Sequence, residues 1–171
     1  RELALAAYRK GFMKRSDLIS AIWLSMGYRM KLLLPERAVS MMGSWVKGMT
    51  VESIDELCTE VTDKVMIPAV YSEVKKELDE HRAKNAGLVI LSSTVEPVCR
   101  RVAELLGMDD ILCTRLEAVD GILTGRPLGL FCFGEEKEKR LRVYCEKNNS
   151  SLLDAWYYGD AISDLHALSC V

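Results

Sequence analysis

The stretch from Ala155 to Leu168, AWYYGDAISDLHAL, constrains the fold more than any other. An apolar run stops at Gly159, Asp160 and Asp164 follow four residues apart, and apolar residues resume at Leu165 and Leu168. A buried strand ending in Gly-Asp, then a loop and a helix, is how an open α/β sheet presents carboxylates at its carboxyl edge, where such sheets bind ligands. Two neighbouring acids are costly to bury unless a cation or a hydrogen-bond network satisfies them. Mg2+, a hard cation held by one or two carboxylates plus substrate phosphate, meets that demand. The same spacing also reads as a plain strand–turn–helix junction, with Asp160 in the turn and Ser163 or Asp164 as N-cap. The other motifs decide between the two.

Alternating strand and helix signals precede this stretch. Pro68 suits the first turn of a helix running to Asn85, with Val70, Val74 and Leu78 inward. Leu88 to Leu91 is a continuous apolar run between Gly87 and Ser92, the pattern of a buried parallel strand. Thr94 is placed to cap a helix whose inward face is Val98, Val102, Leu105 and Leu106, stopped by Gly107, and Ile111 to Thr114 is the next strand. Asp120-Gly121 between two short apolar runs is a hairpin turn. A charged helix covers Glu135 to Lys147, and Leu152 leads into the final strand. The expected fold is therefore α/β: a Rossmann-like parallel sheet with flanking helices and a β-hairpin.

Residues 1–67 carry no strand signal and read as an all-helical subdomain, with residues 68–171 as the α/β core. Leu3, Ala7, Tyr8 and Phe12 recur at helical spacing, as do Leu18, Ile22, Met26 and Arg29 after Ser16-Asp17. Pro35 starts a further piece through Met41 and Trp45, and Thr50 caps a helix over Val51 to Val65 with the stripe Ile54, Leu57, Val61 and Val65. The bulky residues Trp23, Leu24, Tyr28, Leu32 and Trp45 read as the core of this subdomain. The alternative is that Trp23, Met26, Met30 and Leu33 face a lipid or an apolar substrate beside Arg29 and Lys31. Leu18 to Leu34 is too short and too charged to span a bilayer.

A net charge of −2 over 171 residues argues against nucleic acid as the main partner. Six scattered cysteines without a C-x-x-C pair read as reduced, buried thiols of a cytoplasmic protein. No secretory signal is visible. Arg1 opens directly into a helical pattern and Val171 closes just after a helix has begun, so the chain reads as a segment of a longer protein.

Three positions converge on phosphate chemistry. Ser92-Ser93-Thr94 brings hydroxyls and backbone N–H groups to the start of a helix, where an anion binds or where the residues simply cap. Lys137 lies in the first turn after Gly134, against the helix dipole unless an anion is near, although Lys139 and Arg140 make the stretch resemble a solvated face. Asp160 and Asp164 supply the cation side.

The order Leu91-Ser92-Ser93-Thr94, Asp120-Gly121-Ile-Leu-Thr-Gly125, Gly134-Glu-Glu-Lys137, Tyr158-Gly-Asp160-Ala-Ile-Ser163-Asp164 resembles the haloacid dehalogenase superfamily, most closely its phosphoserine-phosphatase-like branch. The resemblance covers roughly residues 50–171, and residues 1–67 fit that branch's cap in helical character only. It implies a Mg2+-dependent phosphatase that forms and hydrolyses an aspartyl-phosphate. By the same resemblance Ser92, with Ser93 beside it, binds phosphate. Lys137 neutralises its charge, with Lys139 as the fallback, and Ser163 adds a polar contact. Asp160 binds the metal and Asp164 is the second acid of the metal shell. The family's Asp-x-Asp-x-Thr nucleophile motif does not occur in these residues, so the segment alone is expected to be inactive. The expected partner is a small phosphorylated metabolite; phosphoserine itself is not favoured, and no oligomeric state is read. Rival readings are a lipid-phosphate phosphatase at a membrane surface, a non-catalytic remnant binding phosphate or a partner protein, and a response-regulator-like phosphoacceptor, which the helical segment and the hairpin disfavour.

Overall fold

The computed structural model describes residues 2–29 and 45–171, without the side chains of Ala21 and residues 24–29. The helical piece expected from Pro35 to Met41, together with Met30, Lys31, Leu32 and Leu33, lies outside the described residues, as do the side chains of Leu24, Met26, Tyr28 and Arg29. The chain divides into two compact units. One comprises Arg1–Glu77 with Leu116–Leu128, the other Leu78–Arg115 with Gly129–Val171.

The first unit holds helices α1 (Glu2–Arg9), α2 (Arg15–Arg29) and α3 (Val51–Val61) and the hairpin β3 (Leu116–Val119) and β4 (Ile122–Pro127). Thr50 caps α3 by accepting from Ser53 N–H at 3.1 Å, as its position before an apolar stripe predicts. Ile54, Leu57, Cys58 and Val61 are buried, but Val65 is 41% exposed. The expected stripe fails there because residues Thr62–Met66 form a π-helical turn. Its wider spacing rotates Val65 out and puts Thr62 in the core. Phe12 and Trp23 are also exposed, Trp23 at 71%, so Trp23 is not the core residue expected of it. Ala4, Ala7 and Met13 are buried instead. The hairpin turns at Asp120 and Gly121, both at positive φ, the geometry that favours Asp-Gly. It is stitched to this unit by Leu123 N–H donating to the Met49 carbonyl (2.8 Å), Gly48 N–H to Leu123 (2.9 Å) and Val51 N–H to Gly121 (3.0 Å).

The second unit contains the second half of helix α4 (Ser72–Ala83), strand β1 (Val89–Val95), helix α5 (Glu96–Leu106), strand β2 (Asp110–Thr114), helix α6 (Glu135–Lys147) and the short helix α7 (Leu165–Leu168). Helix α4 starts four residues after Pro68, which sits in a separate 3-10 turn, and Val74 is exposed. Only His81 of this helix is buried. Strands β1 and β2 pair in parallel, Leu91 opposite Leu112 and Ser92 opposite Cys113, as the apolar runs predict. β1 runs three residues further than Ser92, and Val95, not Thr94, is the N-cap of α5. Every residue of β1 stays half-buried. The buried face of α5 is Val98, Cys99 and Ala103; Leu105 is 42% exposed. Gly107 ends α5 at a φ of 64°, and Arg82 of α4 donates to the carbonyls of Leu106 and Gly107, satisfying the helix C-terminus.

The stretch expected to be the last buried strand differs most. Leu152–Asp154 forms a 3-10 turn, and residues 155–160 pair with no strand among the described residues. Trp156 and Tyr158 are 60% and 65% exposed. Apolar character and an extended backbone are local properties, but a strand exists only where a neighbour offers a ladder. Cys58, Cys99, Cys113, Cys132 and Cys145 are buried and Cys170 is half-exposed, and among the described residues none forms a disulfide. No helix among the described residues is long and apolar enough to cross a membrane.

Candidate functional site

All the expected site residues belong to the second unit. Lys137 occupies the first turn of α6 and is 5% exposed, although its neighbours Glu135 and Lys139 face solvent. Its ammonium donates to Asp164 Oδ1 in a buried ion pair. The same oxygen accepts from the Tyr157 hydroxyl at 2.8 Å, and Oδ2 accepts from Ala161 N–H at 3.0 Å. Ala161 is the N-cap of the turn Ile162–Asp164, so the carboxylate also closes that turn from below, as the third residue of a capping box does. Asp164, expected as a second metal ligand, thus has both oxygens engaged within the protein.

Burial opposes ionisation of Asp164, but the Lys137 ammonium, the Ala161 N–H and the Tyr157 hydroxyl outweigh it and hold the carboxyl below its ordinary range. Burial and then the neighbouring Asp164 push the Tyr157 hydroxyl up, so it stays protonated as a donor. Because the folded-state value of Asp164 lies below the unfolded one, its contribution to stability is complete at neutral pH. It is lost as pH falls from about 4 through the depressed value. Denaturation of the intact protein across a pH series should show this acid-side loss, and Asp164→Asn should abolish that part of it.

Gly159 is required by the same cluster. A Cβ there would lie 2.8 Å from Cβ, Cγ and Oδ2 of Asp164. Asp160, the next residue, is exposed, and nothing among the described residues hydrogen-bonds its carboxylate. An oxygen donor free of partners at the end of an extended segment fits a hard cation that takes one or two carboxylates and keeps several waters. Among the described residues no three His, Cys, Asp or Glu side chains group into a complete metal cage. The chemistry of the Asp160 carboxylate thus suits one ligand of such an ion, while both oxygens of Asp164 are engaged by Lys137, Tyr157 and Ala161.

Ser92 is the middle residue of β1 and Ser93 follows it in the strand, so neither lies at a helix start. Ser92 Oγ accepts from Thr94 N–H at 3.1 Å, and among the described residues Ser92 makes no hydrogen bond to Lys137 or Asp160. Ser93 Oγ is buried without a partner. The Ser93 carbonyl accepts from the Thr114 hydroxyl at 3.2 Å, and that hydroxyl accepts from Cys132 N–H at 3.2 Å. Burial pushes the Cys132 thiol up to about 11, against the pull of the nearby Arg140 and Lys137 cations, which keeps it uncharged. Ser163 is buried at 6% exposure, one residue before Asp164. Lys139 pairs loosely with Glu135 at 3.8 Å on the solvent face, which leaves Lys137 as the inward lysine.

Three contributors were not singled out from the sequence. Arg140, one turn beyond Lys137, donates to the carbonyls of Cys113 and Leu130 (2.6 Å to the latter) and ties α6 to the end of β2. Tyr157 holds Asp164. His81 meets Trp156 and Tyr158, and it could have been noticed as the continuation of the Val74–Leu78 face of α4.

Comparison with known proteins agrees with this architecture. The sequence model of the haloacid dehalogenase-like hydrolases matches residues 2–169. A phosphoserine phosphatase of Polaromonas sp. (strain JS666 / ATCC BAA-500) is 34% identical over 126 residues, 70% of this chain and 50% of its own length. A Bordetella pertussis Tohama I protein of unknown function superposes with a TM-score of 0.84 at 20% identity, over 98% of this chain and 78% of its own. A phospho-aspartyl intermediate analogue of phosphoserine phosphatase superposes at a TM-score of 0.72 and 17% identity, over 99% and 76%. The chain spans about half the length of the curated relatives it matches. With its motifs in order on this fold, the chain belongs to the haloacid dehalogenase-like hydrolase family, in the phosphoserine-phosphatase-like branch.

Proposed function

We propose that the protein bearing this sequence is a Mg2+-dependent phosphomonoester hydrolase that acts on a small phosphorylated metabolite through an aspartyl-phosphate. The observation that carries this reading is the burial of Lys137 against Asp164 of the Gly-Asp-x-x-x-Asp stretch, in a chain of this family. A buried lysine that must be balanced by an anion is suited to a site whose second anion is a phosphoryl group. Ser92 and the Ser93 backbone N–H bind phosphate oxygens, Lys137 neutralises their charge and Ser163 adds a polar contact. Asp160 holds the ion, and Asp164 fixes Lys137 and the loop that carries Asp160. When bound, Mg2+ supplies charge stabilisation to the phosphoryl oxygens.

No Asp-x-Asp-x-Thr occurs in the 171 residues, so the attacking carboxylate is assigned to sequence outside them. It forms the acyl phosphate as the alcohol leaves, and water then cleaves that intermediate to regenerate carboxylate and release phosphate. The likeness of fold to the phospho-aspartyl analogue supports this step. The test is hydrolysis of p-nitrophenyl phosphate by the intact protein, with Mg2+ and with EDTA. Turnover should require Mg2+, fall about 10²–10³-fold in Asp160→Asn, and be absent from the 171-residue segment. Turnover by that segment that survives Asp160→Ala would overturn the reading.

A further inference from the structure

We propose that His81 is a positioning residue for Asp160, an inference that rests on the metal-binding reading of Asp160 given above. Residues 155–160 have no strand partner among the described residues, so ladder hydrogen bonds do not hold them. Their side chains instead alternate between two anchors. Tyr157 reaches Asp164 on one side. Trp156 and Tyr158 both meet His81, which is 9% exposed on helix α4.

The His81 ring meets Trp156 edge to face, with centroids 4.6 Å apart and planes at 76°, and Tyr158 similarly at 5.8 Å and 78°. Its Nε2 and the Tyr158 hydroxyl share a hydrogen bond of 2.9 Å. The Lys84 ammonium, one turn along the chain, lies 4.6 Å from the centre of the Trp156 ring. Edge-to-face rings and a cation over an indole are directional contacts, so they orient a segment as well as bury it. The helix thereby grips the chain two residues before the metal-facing carboxylate. Freed of that grip, Asp160 would sample orientations that cannot bind the ion, and its affinity would fall by the fraction lost.

The test uses the intact protein and Mn2+ as the reporter for the Mg2+ site. Binding is followed by electron paramagnetic resonance, and kcat and KM are measured at saturating metal. His81→Phe and Tyr158→Phe should each weaken Mn2+ binding by about tenfold, with KM for substrate at saturating metal unchanged. The double variant should be no weaker than either single, because both remove one bond. His81→Gln, which keeps a hydrogen-bonding group, should lie closer to wild type than His81→Phe. Tyr158 is 65% exposed, so Tyr158→Phe tests the bond even where a His81 variant does not fold. Wild-type Mn2+ affinity in these variants alongside its loss in Asp160→Asn would overturn the positioning role. Unchanged Mn2+ affinity in Asp160→Asn would instead overturn the functional reading beneath it.

Discussion

Replacing Lys137 by methionine should destabilise the intact protein by about 3–5 kcal/mol, the cost of leaving one member of a buried ion pair without its partner. Both side chains of the pair are nearly inaccessible, 7% exposed for Lys137 and 6% for Asp164. Without the ammonium, the Asp164 carboxylate keeps only the Tyr157 hydroxyl and the Ala161 N–H against the desolvation of its charge. Adding Asp164→Asn should recover part of the stability, since the amide oxygen still accepts from Ala161 N–H, the amide NH2 can donate to the Tyr157 hydroxyl oxygen, and no bare charge remains. Activity should not recover, because the cation proposed to neutralise phosphate is gone. Urea denaturation of the single and double variants measures the first effect, and phosphatase turnover the second. A Lys137→Met protein as stable as wild type would show that the pair does not hold the fold.

Gly159→Ala is expected to cost about 1–3 kcal/mol by overpacking. The clash involves three atoms of Asp164 at 2.8 Å, and Asp164 cannot swing away without releasing Lys137, Tyr157 and Ala161. The cost is steric and not conformational, since Gly159 is absent from the glycines at positive φ. Gly87 is the matched control: it too lacks a positive φ, and an added Cβ meets nothing within 4 Å. Thermal denaturation should find Gly87→Ala near wild type and Gly159→Ala clearly lowered. Equal melting of the two variants would exclude the close approach as a constraint. Gly159→Ala should also lower turnover, because the chain must shift next to Asp160, the carboxylate assigned to the ion.

Much of the second unit, and the hairpin of the first, was legible in the sequence. The paired strands follow from the apolar runs Leu88–Leu91 and Ile111–Thr114, the hairpin from Asp120-Gly121, and α6 from the pattern after Gly134. These signals are local: side-chain periodicity and turn chemistry act over a few residues and depend little on the rest of the chain. Where a local pattern needed a distant partner, the reading slipped. Trp156 and Tyr158 look like part of a buried strand yet lie exposed, and Trp23 looks like core yet faces solvent. Val65 was displaced by a π turn that no residue in its stretch announces.

The site divides in the same way. The order of Ser92, Lys137, Asp160 and Asp164 along the chain was enough to name the family and the chemistry to be tested, because residue type and spacing are written in the sequence itself. Which charges meet was decided by the fold. Lys137 among Glu135, Lys139 and Arg140 reads as part of a solvated face, and only the packing of α6 against the 157–164 loop brings it to Asp164. Tyr157 and His81 gained their roles from contacts 7 and 77 residues away along the chain. Pairings at such separations are made when helices and loops from different parts of the chain pack together, and the burial that makes a lone charge or hydroxyl costly exists only after that packing.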